Sequence, residues 1–204
     1  MPHWFNTAGP CQADIHYMLP PTERLPNLER LIEQRGYFVI HAPRQTGKTT
    51  AMLAIAQELT ASGHYAAVML SIDVGAAFPQ NLEFAEKAIL DEWQAMIKLH
   101  LPAALHPPQW QTSEVGRRIG SALSDWSQAS PRPVVVFIDE IDALQGETLI
   151  SLLRQLRSGY PNRPQTFPQS VALIGLRDVR DYKVAAGGRV NALAKEIVEE
   201  LRRC

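Results

Sequence analysis

The chain has 204 residues, 46% of them hydrophobic and 20% charged, enough for one α/β domain with its own core and marginal for two. A formal net charge of -1 gives no basic excess pointing to nucleic acid, and two cysteines near opposite ends argue against a disulfide scaffold. The longest strongly apolar run, residues 134–138, is far too short to span a bilayer, and residues 1–7 lack the charged and apolar regions of a secretory signal. The chain is therefore expected to be soluble and cytoplasmic, with free thiols at Cys11 and Cys204.

Residues 1–25 are irregular and rich in proline and glycine. Residues 25–35 predict a short amphipathic helix with Leu28, Leu31 and Ile32 on one face, ended by Gly36. Tyr37, Phe38, Val39 and Ile40 form a continuous apolar run, as in a strand buried on both faces. Residues 47–62 predict a helix carrying Leu53, Ile55, Ala56 and Leu59, stopped by Gly63. A second buried strand follows over 65–72, then a long helix over 82–99 and a proline-rich loop. Residues 113–128 predict another helix, with Val115, Ile119, Leu123 and Trp126 at helical spacing. Residues 134–138 predict the third strand, 147–158 a helix and 171–176 the fourth strand. From residue 188 a last helix aligns Val190, Leu193, Ala194, Ile197, Val198 and Leu201 in one stripe, with Arg202 and Arg203 suited to its C-terminal dipole. The alternation predicts a parallel sheet with helices on both faces. It divides the chain into an N-terminal segment (1–25), a core (26–183) and a C-terminal helix (184–204).

Two segments carry chemistry. Ala42, Pro43, Arg44, Gln45, Thr46, Gly47, Lys48 and Thr49 fit G-x-x-x-x-G-K-[ST], with alanine at the first glycine, and Thr50 continues the run. Such a loop wraps a phosphate in backbone N–H groups, and Gly47 keeps side chains away where the loop meets the helix. Lys48 is placed for the β- and γ-phosphates, and Thr49 offers a hydroxyl to Mg²⁺. The second segment is the apolar strand that ends in Asp139 and Glu140. A buried strand delivers Asp139 to the sheet's C-terminal edge, where ligands of α/β folds bind. Asp139 then supports Mg²⁺, and Glu140 acts as general base on a water. Each segment alone also fits an ordinary turn; their joint occurrence argues for an ATP·Mg²⁺ site.

HAPRQTGKTT, VVVFIDEID and the fourth strand VALIGLRD resemble the Walker-A, Walker-B and sensor segments of AAA+ and STAND-type prokaryotic P-loop ATPases, over about residues 5–183. The resemblance implies a three-layer P-loop sandwich with strand order 1-4-3-2. It also implies that the end of the fourth strand, Gly175-Leu176-Arg177, faces the γ-phosphate. Arg177 is then the sensor of γ-phosphate charge, or a surface arginine after a strand. The leading segment, residues 6–20, resembles the stretch that touches adenine, through Tyr17 or Leu19; ordinary loop packing is the other reading. Family members continue into a fifth strand beyond the first and a helical lid. No apolar run after residue 183 reads as that strand, so the first strand is expected at a sheet edge.

Asp73 reads as a turn cap or as a residue supporting the site. Arg154, Arg157 and Arg180 read as solvated side chains or as a finger supplied in trans. The histidines show no zinc spacing, and no G-x-S-x-G elbow is present. The implied function is ATP binding and hydrolysis coupled to an unknown signalling or remodelling output, with a protein partner or a homo-oligomer. The alternatives are a nucleotide-dependent switch with negligible hydrolysis and a P-loop small-molecule kinase. Glu140 directly after Asp139 suits water activation better than acceptor phosphorylation.

Overall fold

A computed structural model describes residues 4–5, 14–17, 25, 27–43, 46–111 and 113–175. Among them α1 (Leu28–Glu33), β1 (Tyr37–His41), α2 (Lys48–Ala61), β2 (Ala66–Ser71), α3 (Leu82–His100), α4 (Arg118–Ala129), β3 (Val134–Asp139), α5 (Gly146–Gly159) and β4 (Ser170–Gly175) follow in order. Single 3-10 turns at Asp73–Ala77 and Ile141–Ala143 follow β2 and β3. The four strands are all parallel, in the order β1-β4-β3-β2. This is the order the resemblance implied, and β1 is an outer strand among the described residues.

Strand alternation sorts the apolar side chains into two cores. Val134, Val136 and Ile138 of β3 pack with Ile89 and Trp93 of α3, Ile119 and Leu123 of α4, and Leu152 and Leu156 of α5. Val135 and Phe137 pack the other way, with Leu28 and Ile32 of α1 and Met52, Ile55 and Leu59 of α2. The sheet is thus the middle of three layers. β3 and β4 are buried at every position, which explains their unbroken apolar runs.

β2 is the other outer strand, so every second residue turns its N–H and C=O away from the sheet. The N–H of Ala66 points inward, to the Pro133 carbonyl. Ala67 faces outward, and the Thr60 hydroxyl of α2 both accepts from its N–H and donates to its carbonyl, each at 3.0 Å. A helix side chain thereby takes the place of a neighbouring strand.

Two helix boundaries differ from expectation. α1 starts at Leu28, three residues late. α4 starts at Arg118, because Gly116 adopts φ +83, a left-handed conformation that a helix does not contain. Val115 therefore precedes the helix and is 44% exposed, while Ile119, Leu123 and Trp126 are buried as expected. The predicted helix over 184–204 lies outside the described residues. No described helix is long and apolar enough to cross a membrane.

The start of α4 is held from outside. The Gly120 N–H, in the first turn where no helical carbonyl is available, donates to Gln155 Oε1 at 2.8 Å. The Gln155 amide donates to the fully buried carboxylate of Glu86 at 2.7 Å, which also accepts from the Gly116 N–H at 2.8 Å. Gln155→Ala removes a helix cap and leaves a buried carboxylate short of a donor. It is expected to lower unfolding stability by about 2–4 kcal/mol, read from urea denaturation.

Candidate functional site

β1 runs out at His41, and the Ala42 N–H still donates to Gly175 at the end of β4 (3.4 Å). The chain then turns through the loop into α2. Gly47 caps that helix with φ 78 and ψ 22, a conformation that strains any residue with a Cβ. This is why glycine stands there, and it leaves the first N–H groups of α2 pointing into the loop. The Lys48 ammonium folds back over the loop and donates to the carbonyls of Ala42 (2.6 Å) and Pro43 (2.8 Å). Thr46 Oγ1 also donates to Pro43 O, at 2.9 Å. The loop is therefore curled around its own lysine. Arg44 and Gln45 lie outside the described residues.

Asp139 ends β3 with the same parity as Val135 and Phe137, so its side chain lies on the α2 face. It is 6% exposed. Thr49 Oγ1, in the first turn of α2, donates to Asp139 Oδ2 at 2.8 Å. The other oxygen, Oδ1, accepts from the N–H of Glu140 at 2.9 Å. The loop and the acidic strand end expected to share one spot are therefore joined directly.

Glu140 has φ 61 and ψ 35, a left-handed conformation rarely adopted by a residue with a long side chain. The turn carries its carboxylate back towards β2, where Ser71 Oγ donates to Glu140 Oε2 at 2.9 Å. The same hydroxyl lies 2.7 Å from Asp73 Oδ1. Burial raises the Glu140 pKa above its ordinary value, and the nearby charges of Asp73, Asp139 and Asp142 push the same way, against the Ser71 hydrogen bond. Ser71 is the strand-register partner of Asp139. The sequence reading did not single it out, although it closes the second strand level with Asp139. In the turn after β2, Asp73 exchanges two contacts with Ser71: its N–H donates to Ser71 Oγ at 3.3 Å and its Oδ1 accepts from that hydroxyl.

Tyr17 donates its N–H to the Trp4 carbonyl at 3.1 Å, and its ring centroid lies 5.1 Å from that of Phe5. The ring is 59% exposed. Leu19, Arg177 and Arg180 lie outside the described residues. Arg154 sits on α5 beside Gln155 in a polar groove with Arg117 and Asp125, apart from the loop. A more apolar groove between α1 and α2 lies at the strands' N-terminal edge, next to Tyr65, Pro133 and Gln169, and carries none of the site residues.

The Thr49 hydroxyl and the Asp139 carboxylate form an all-oxygen pair, the donor type that a hard cation such as Mg²⁺ takes. No set of three His, Cys, Asp or Glu side chains among the described residues is grouped to hold a metal alone.

A parallel three-layer sandwich with a glycine-hinged loop entering a helix defines a P-loop nucleotide-binding domain. The family model for the ATPase family associated with various cellular activities (AAA) matches residues 38–176, and the chain belongs to this family. Comparison with curated proteins gave no match. Among solved structures, the chain is similar to one of Drosophila ORC bound to poly(dA/dT) DNA and Cdc6, with 13% identity and a TM-score of 0.49, covering 78% of this chain and 25% of that chain. A structure of Drosophila ORC bound to GC-rich DNA and Cdc6 is similar at 11% identity and a TM-score of 0.46, with the same coverages. This chain thus spans about a quarter of the length of those it resembles.

A carboxyl whose pKa is raised by folding adds stability only while protonated. That contribution is complete below the ordinary value of 4.5 and is lost as the pH rises through the raised value. Glu140→Gln is therefore expected to melt at a higher temperature than the natural protein at pH 7 in EDTA. The difference should vanish below about pH 4, as read by circular dichroism.

Proposed function

We propose that the chain binds ATP with Mg²⁺ and hydrolyses it at the C-terminal edge of the sheet. The observation that carries this reading is the Thr49–Asp139 hydrogen bond, which brings the phosphate-type loop and the acidic strand end to one point. Lys48 leaves the Ala42 and Pro43 carbonyls for the β- and γ-phosphates, exchanging two neutral acceptors for charged ones. The N–H groups at the start of α2 bind phosphate oxygens with the help of the helix dipole. Thr49 and Asp139 hold Mg²⁺, whose contribution is to neutralise phosphate charge.

Glu140 accepts a proton from the attacking water as the water oxygen bonds to the γ-phosphorus and the bond to the β-phosphate oxygen breaks. Burial raises the Glu140 pKa, which makes its carboxylate a stronger base than that of an exposed glutamate. Arg177, two residues beyond the end of β4, is assigned to the charge on the γ-phosphate. Tyr17 and Phe5 offer an exposed aromatic pair to the adenine. A homo-oligomer or protein partner, and a signalling or remodelling output, complete the proposal.

Lys48→Ala is expected to weaken ATP binding at least tenfold by calorimetry, since it removes a charge-assisted contact of about 1.5–3 kcal/mol. An unchanged Kd would refute the phosphate role. Glu140→Gln is expected to keep ATP binding and lower phosphate release about 10²- to 10⁴-fold. Binding without phosphate release by the natural protein would instead make the chain a nucleotide switch. Release only with an added acceptor would make it a kinase.

A further inference from the structure

We propose that Trp93 of α3 is a positioning residue for hydrolysis: its indole N–H fixes the end of β2, so that the Ser71 hydroxyl meets the Glu140 carboxylate. The inference rests on the assignment of Glu140 as the base.

Ser71 has the same parity along β2 as Ala67, so its N–H and carbonyl face away from β3. No described strand lies on that side. Both groups are taken by α3 instead. The Trp93 indole N–H donates to the Ser71 carbonyl at 2.8 Å, and the Ser71 N–H donates to the Met96 sulfur at 3.4 Å. Trp93 is fully buried between α3 and the sheet, with Ile89 and Ile97 on neighbouring turns, so its donor has little freedom to move.

With its main chain held at both polar atoms, Ser71 has one soft torsion left, and that torsion aims the hydroxyl. The hydroxyl has a single proton and two carboxylate oxygens in reach, Asp73 Oδ1 at 2.7 Å and Glu140 Oε2 at 2.9 Å. Small shifts of the Ser71 main chain therefore decide which carboxylate it serves. Among the described residues, Ser71 is the hydrogen-bond partner of the Glu140 side chain on its strained turn, so loss of that contact frees the base to swing. Among the described residues, the Trp93 indole is hydrogen-bonded to the Ser71 carbonyl and not to the loop, Asp139 or Glu140. It acts on Glu140 only through Ser71.

Trp93→Phe keeps an aromatic ring in the buried slot and deletes the donor. Phosphate release and nucleotide affinity are measured per folded molecule in the full chain. The expected result is a fall in kcat of about tenfold with an unchanged ATP Kd, since misplacement of a catalytic group by about 1 Å costs up to about 10²-fold. Ser71→Ala is expected to fall similarly, and adding Trp93→Phe to Ser71→Ala should cost nothing more. An unchanged kcat for Trp93→Phe, or a full second loss in the double variant, overturns the inference. Should Trp93→Phe not fold, Met96→Leu removes the second tether at nearly constant volume and is read by the same non-additivity. If Glu140→Gln leaves turnover intact, the base assignment fails as well. If Glu140→Gln abolishes turnover while Trp93→Phe does not change kcat, only the role of Trp93 falls.

Discussion

The Thr49–Asp139 hydrogen bond is the contact on which the rest of the site depends. It links the first turn of α2 to the last residue of β3, two points 90 residues apart in sequence. It forms because β3 alternates: Val135, Phe137 and then Asp139 fall on the α2 face, and the apolar pair before Asp139 sets that parity in the core. A slip of one residue would move Asp139 to the opposite layer and separate the acid from the loop. The packing of Phe137 is thus part of how the acid is aimed.

A second consequence of the parallel architecture is the concentration of acids at one edge. Asp73, Asp139, Glu140 and Asp142 all lie at or just beyond the C-terminal ends of β2 and β3. Their mutual repulsion contributes to the raised pKa of Glu140. Lys48 lies among loop carbonyls and not against these acids. Hydrogen bonds from Thr49, Ser71 and the Glu140 main chain steady the carboxylates, all from neutral donors.

Much of this was legible in the sequence. Continuous apolar runs marked the four strands, because a strand buried on both faces needs no polar alternation. The loop and the acidic strand end were readable because their chemistry demands particular residue types at fixed spacing. The strand order came only from the resemblance, since crossovers leave no local trace. Val115 misled because its spacing from Ile119 is helical, while Gly116 between them sets a backbone angle that periodicity does not register. Ser71 was missed for a different reason. A serine at a strand end is unremarkable until the register puts it beside Asp139, and register is a property of two strands together. The hold of Trp93 on Ser71 was equally hidden, because an indole in an apolar stripe reads as core.

Thr60 at one end of β2 and Trp93 with Met96 at the other occupy amide and carbonyl groups that an incoming chain would need. Backbone docking from another polypeptide along that margin would first have to break these contacts. Among the described residues, the β2 margin of the sheet is therefore covered by its own helices at both ends, where a neighbouring strand would otherwise begin and finish its pairing.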